Sequence, residues 1–161
     1  MNLYLKKKPV SAYDRFTVYD EAGNERYTVK GTLSRRWSRS WRFRVYDLAG
    51  TECAVVQLKE LSSPPCYTLR RGGVDVGDMT LTHKCFPQTY TVRGLGWQAV
   101  QKAGEFYEND CEFTDSERTV VVVSKQWRTW GETYEIRISP DVNELDALMV
   151  ALVFDACNGS V

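Results

Sequence analysis

The segment from Ser34 to Val45 contains five arginines interleaved with two tryptophans. Its arginines are the candidate ligands for an anion: Arg35, Arg36, Arg39, Arg42 and Arg44. Guanidinium groups pair bidentately with phosphate oxygens, and tryptophan favours a setting that is apolar on one side and wet on the other. Lys6, Lys7 and Lys8 are further candidates. The pairing of the first strand that the repeat implies would bring them near these arginines. The pattern predicts contact with anionic headgroups or a nucleic-acid backbone, while its simpler interpretation is a solvated loop and outward strand face.

The other reactive side chains predict no enzyme, metal site or cofactor. The single histidine, His83, shares its alternation with Met79 and Leu81, which points it toward a core. The five cysteines are odd in number and form no C-x-x-C pair, so neither disulfides nor zinc are expected. The acidic residues around one predicted hairpin lack the pattern of a calcium loop: Glu108, Asp110, Glu112, Asp115 and Glu117.

Composition and charge restrict the class of protein further. The chain has 161 residues, of which 12% are aromatic, and no net charge, so we expect one folded domain over residues 1–161. Residues 1–80 carry a net charge of +5 and residues 81–161 carry −5. Zero net charge and an acidic second half disfavour nucleic-acid binding. The N-terminus has no apolar leader, so we expect a cytoplasmic protein with reduced cysteines.

A short alternating strand recurs along the chain. Its copies begin at Phe16, Phe43, Tyr67, Tyr90, Cys111 and Tyr134, at spacings of 21 to 27 residues. Two copies continue into the related turns VYDEAGNE and VYDLAGTE, in which Asp and Gly bracket the reversal. Alternation with period two indicates strands with one buried face, and each repeat therefore predicts a β-hairpin.

The C-terminal segment changes to a helical pattern. Asp141 or Asn143 can cap its N-terminus, and Ala147 to Phe154 is apolar without interruption. This run is too short to cross a membrane, and a helix that is apolar on every face must be buried all round. An all-β closed antiparallel barrel of about twelve strands around this helix satisfies both patterns, since closure removes exposed sheet edges. Trp37, Trp41, Trp127 and Trp130 are then expected to close the barrel ends.

These motifs resemble the LURP-one-related proteins, which are relatives of the tubby C-terminal domain and the phospholipid scramblases. One matching stretch is the opening hairpin, through Lys6, Tyr19, Asp20, Gly23 and Gly31. Another runs from Ser124 to Ile138, through Lys125, Trp127, Trp130, Gly131, Tyr134 and Ile136, with Glu132 where the family often has Asp. The closing helix DALMVALVFDA also matches. The resemblance implies a twelve-stranded barrel around a C-terminal hydrophobic helix.

The resemblance leaves the activity open. Tubby-domain relatives bind phosphoinositides through basic side chains, but those positions have no residue-by-residue match here. We expect a non-enzymatic cytoplasmic binding or scaffold domain without a transmembrane segment, peripheral to a membrane and in contact with anionic phospholipid. The alternatives are a protein-interaction or structural module without a lipid ligand and, as a second, nucleic-acid binding.

Overall fold

The computed structural model describes residues 1–8, 13–33, 41–60, 62–82, 88–100, 110–128 and 131–158. These residues form twelve strands and one helix. The strands are β1 (Asn2–Lys7), β2 (Tyr13–Tyr19), β3 (Glu25–Leu33), β4 (Arg42–Tyr46), β5 (Glu52–Leu58), β6 (Cys66–Arg71), β7 (Val74–Leu81), β8 (Thr89–Arg93), β9 (Trp97–Val100), β10 (Asp110–Asp115), β11 (Arg118–Arg128) and β12 (Gly131–Ile138). The helix is α1 (Glu144–Asn158).

The sheet closes into an antiparallel barrel. Each strand pairs with its neighbours in sequence, and β1 pairs with β12, with Leu3 opposite Ile136 and Leu5 opposite Tyr134. Alternate residues of each strand point inward; on β4, Phe43 and Val45 are buried while Arg44 is exposed. The predicted barrel is thereby confirmed.

Helix α1 fills the barrel. Residues 147–154 are at most 1% exposed, so the helix has no wet face. It contacts β5, β6 and β12. Asn143 caps its N-terminus, because its side-chain oxygen accepts a hydrogen bond from the Leu145 amide at 2.9 Å. Asp141, the other predicted cap, pairs instead with Arg118 at 2.7 Å.

Short turns join β2 to β3, β4 to β5, β6 to β7, β8 to β9 and β10 to β11 at the end of the barrel where α1 begins. The two related turns use the same hydrogen bonds: Asp20 accepts from the amides of Ala22 and Asn24, and Asp47 accepts from those of Ala49 and Thr51. Gly23 and Gly50 have φ of 83° and 82°, which glycine adopts without steric cost. The repeated sequence therefore forms a repeated local structure.

Candidate functional site

The predicted arginines on β4 lie on the outer face of the barrel. Arg42 and Arg44 flank Phe43, which is fully buried, and strand alternation therefore directs both guanidinium groups outward. Arg35, Arg36 and Arg39 belong to the segment before β4 and lie outside the described residues. His83, Trp37 and Trp130 also lie outside them.

Strand register adds cations that sequence reasoning did not assign to the site. Lys30 on β3 is directly opposite Arg44, and Arg15 on β2 is directly opposite Lys30. The amide of Lys8 donates to the carbonyl of Arg15 at 2.9 Å, which places Lys8 at the end of this row. Neighbouring strands are about 4.8 Å apart, so four cations lie within roughly 15 Å. We call Lys8, Arg15, Lys30, Arg42 and Arg44 the basic wall.

A shallow depression lies within the basic wall. It has a volume of about 330 Å³ and is lined by Lys30, Gly31, Thr32, Arg42 and Arg44. The Arg42 amide donates to the Thr32 hydroxyl oxygen at 3.1 Å, which holds that hydroxyl beside the arginine. Lysine, arginine and threonine donors that surround one depression can together bind an oxyanion such as phosphate.

Little negative charge opposes the basic wall. Among the described residues, the carboxylate that pairs with it is Glu52, at 3.8 Å from Arg44 Nε, and both side chains of that pair are exposed. The Lys30 ammonium lies 5.3 Å from the Tyr46 ring centroid. Like charges directly opposite across a sheet destabilise the pairing. A row of cations in register therefore costs stability, and a bound anion would offset that cost.

The three predicted lysines have different surroundings. Lys6 points outward with its ammonium 4.8 Å from the Tyr19 ring centroid. Lys7 points toward the helix, where its ammonium is 4.0 Å from Asp155 Oδ2. Lys8 is exposed and belongs to the basic wall. The lysine run therefore contributes to the outer surface through Lys6 and Lys8, whereas Lys7 is engaged with α1.

The remaining buried polar groups hold the helix in the barrel. Asp146 is 5% exposed and its Oδ1 is 3.0 Å from Arg71 Nε. Burial raises the pKa of Asp146, and Arg71 opposes that rise.

Burial also raises the pKa of the Cys111 thiol to about 12, which keeps it protonated and unreactive at neutral pH. Cys53, Cys66, Cys111 and Cys157 are free thiols.

The described part of the chain contains no group of three or more His, Cys, Asp or Glu side chains arranged to hold a metal ion. In that part, Asp110, Glu112, Asp115 and Glu117 are exposed on β10 and the turn after it. Residues 72–73 form the turn between β6 and β7, and residues 94–96 form the turn between β8 and β9. The helix of the described residues, α1, is too short to span a bilayer.

Comparison with known proteins supports the family resemblance seen in the sequence. The chain is 27% identical over 155 residues to a protein of Bacillus subtilis (strain 168) named "Uncharacterized protein YxjI", and the match covers 96% of this chain and 92% of that protein. No solved structure matches the chain. The family model of the LURP-one-related proteins matches residues 1–155. The chain therefore belongs to the LURP-one-related family.

Proposed function

We propose that this domain is a non-catalytic binding module that attaches to the phosphate groups of an anionic membrane surface. The observation that carries the proposal is the cross-strand row of Lys8, Arg15, Lys30 and Arg44, with Arg42 beside it. Each cation near an acidic membrane contributes about 1 kcal/mol to the binding free energy. Because the cations of this row lie on a sheet, no loop has to become ordered when they bind. Arg35, Arg36 and Arg39 would add to the same attraction.

Phosphate suits the donors better than a carboxylate of a protein partner does. Arg42 and Arg44 offer planar forks for bidentate contacts, Lys30 offers a compact charge, and the Thr32 hydroxyl can donate to a third oxygen. A phosphate group has enough oxygens for all of them. The shallow depression suits a headgroup at a surface, because a deep pocket would be needed to enclose a free metabolite.

The filled interior supports the absence of catalysis. Helix residues 147–154 occupy the space that an empty barrel would offer to a substrate, and they are at most 1% exposed. A helix enclosed in a twelve-stranded barrel also supports the proposed placement of this family beside the tubby C-terminal domains and scramblases. The free thiols of the four described cysteines support a cytoplasmic location.

Vesicle co-sedimentation tests the proposal directly. Phosphatidylserine-containing vesicles should bind the protein at about 0.05 M salt and lose it at about 0.5 M, because salt screens exposed charges. Phosphatidylcholine vesicles should bind little. The double variant Lys30→Gln/Arg44→Gln should bind acidic vesicles about 30-fold more weakly, since it removes two contacts of about 1 kcal/mol each.

The matched control is Arg93→Gln/Arg118→Gln, which removes two exposed positive charges away from the basic wall. This control should keep most of the binding. Equal binding to acidic and neutral vesicles, or equal losses in the two double variants, would contradict the proposal. Salt-sensitive binding to DNA without binding to vesicles would favour a nucleic-acid ligand instead.

A further inference from the structure

The barrel carries an acidic surface on the strands that follow β9. Asp110 and Glu112 are exposed on the outer face of β10, and the register Asp110–Ser124–Glu135 places Glu135 of β12 in the same region. Among the described residues, these three carboxylates have no cation within 4.0 Å. Glu112 is hydrogen-bonded to the Thr119 hydroxyl, and Glu135 accepts from Gln126 at 2.7 Å. We call Asp110, Glu112 and Glu135 the acidic wall; among the described residues, Arg137 of β12 is also exposed on this face, opposite Val122.

The carboxylates of β10 lie far from the arginines of β4. In the closed order of twelve strands, β4 and β10 are six strands apart in either direction, whereas Glu135 on β12 is closer to the basic wall, because β12 pairs with β1 and Lys8 follows β1. Asp110 and Glu112 therefore cannot reach Arg42 and Arg44 of the same molecule, but they can reach those of a second molecule. The whole chain has no net charge, so two copies carry no overall repulsion that would prevent this approach.

An apolar residue adjoins the acidic wall. Val100 is 52% exposed, and the pairing of Ala99 with Phe113 continues to place Val100 beside Glu112. On the other side Glu112 pairs with Val122, which is partly buried. The aliphatic stems of lysine and arginine cover apolar surface while their charged ends reach a carboxylate. The long side chains of the basic wall match such a surface.

We infer that this protein associates with further copies of itself, with the basic wall of one barrel against the acidic wall of the next. The contact is heterologous, because each side uses a different surface, and each added copy leaves one wall of each kind free. Association therefore continues with concentration and does not stop at a dimer. The inference uses the basic wall but does not depend on lipid binding.

Sedimentation velocity on the purified chain tests this association. The weight-average sedimentation coefficient should rise with concentration at about 0.05 M salt and stay at the monomer value at about 0.5 M. Two variants change the charge of one wall each: Lys30→Glu/Arg44→Glu leaves three cations and two carboxylates on the basic wall, and Asp110→Lys/Glu112→Lys leaves two cations and one carboxylate on the acidic wall. Each variant alone should associate much less than wild type, and an equimolar mixture should associate again, because the unchanged acidic wall of the first variant can meet the unchanged basic wall of the second.

Circular dichroism and thermal unfolding establish that both variants fold. If a reversal prevents folding, the neutral forms Lys30→Gln/Arg44→Gln and Asp110→Asn/Glu112→Gln replace it, and each should weaken association by at least about tenfold. A wild-type chain that stays monomeric at low salt, or a mixture that stays monomeric, overturns the inference. Vesicle binding separates the two proposals, because Asp110→Lys/Glu112→Lys should still bind acidic vesicles if the proposed function is correct.

Discussion

The Tyr134 hydroxyl donates a hydrogen bond of 2.6 Å to Asp155 Oδ1, and both residues are buried. Tyr134 belongs to β12 and Asp155 to the last turns of α1. The C-terminal end of a helix carries partial negative charge, so a carboxylate is unfavourable there without a compensating donor or cation. The hydroxyl of Tyr134 and the ammonium of Lys7 provide that compensation and hold the helix against β12 and β1.

Replacing Tyr134 by Phe should destabilise the protein, because it removes a donor from a buried carboxylate. Hydrogen bonds to charged groups contribute about 1.5–3 kcal/mol, and we expect a loss of that size in urea unfolding. Tyr46→Phe on the outer face is the control and should change the free energy of unfolding by less than about 0.5 kcal/mol. Equal effects of the two changes would show that the hydrogen bond contributes nothing.

Leu148 tests whether the helix is the centre of the core. It is fully buried, whereas Leu48 in the turn after β4 is 69% exposed. Leu148→Ala should cost about 2–5 kcal/mol, since it leaves a cavity among packed side chains. Leu48→Ala should cost less than about 0.5 kcal/mol. Thermal and urea unfolding measure both, and similar losses would indicate that α1 is not enclosed as described.

Gly94 lies in a turn that contacts β7 closely. A Cβ atom there would be 2.4 Å from the carbonyl oxygen of Val76 and 2.8 Å from the Cα of Gly77, and φ is +92°. Gly50 has a similar φ of +82° but open space around it. Gly50→Ala should therefore cost about 1–2 kcal/mol through backbone strain alone, and Gly94→Ala about 3 kcal/mol or more. The difference between the two free energies of unfolding measures the steric clash; equal values would refute it.

The protein should lose stability at alkaline pH because of Tyr27. Its hydroxyl donates to Glu144, and burial together with this bond raises the pKa of Tyr27 from 10.0 to about 12. The folded state therefore holds this proton more tightly than the unfolded state does. The stabilisation is complete below pH 10 and is lost as the pH rises through about 12.

The measurement is the free energy of unfolding of wild type and Tyr27→Phe from pH 9 upward. The variant should lose less stability than wild type across that interval, because Phe has no proton to release. Tyr19→Phe, on the outer face, serves as the control. An identical pH dependence in wild type and Tyr27→Phe would contradict the assignment.

The architecture could be predicted because its two patterns are local. Alternation around Phe43 and Val45 identifies a strand with one buried face, and the unbroken apolar run from Ala147 identifies a helix without a wet side. Burial then leaves one economical arrangement, in which the sheet encloses the helix. The choice of cap was not determined in this way, since Asp141 and Asn143 both suit the position and the ion pair with Arg118 distinguishes them.

The basic wall could be predicted only in part. Alternation along β4 is sufficient to place Arg42 and Arg44 outside, but the alignment of Arg15 with Lys30 depends on strand register. If the register of the pair Tyr19–Glu25 continued unchanged along the hairpin, Arg15 would lie opposite Val29. A one-residue shift between Val18 and Tyr19 places Lys30 there instead. Such a bulge depends on packing across the sheet, so the amino-acid pattern of the hairpin does not determine it.

Pairing of β1 with β12 has a consequence for synthesis on the ribosome. The first strand has no partner on one side until residues near 131–138 have emerged, and the hairpins have no centre to pack on until α1 follows. A nascent chain that lacks its last few dozen residues therefore presents its inward side chains to water. Such a chain must wait for its final segment before it can acquire stability, and chaperones have the greatest opportunity to bind it during that interval.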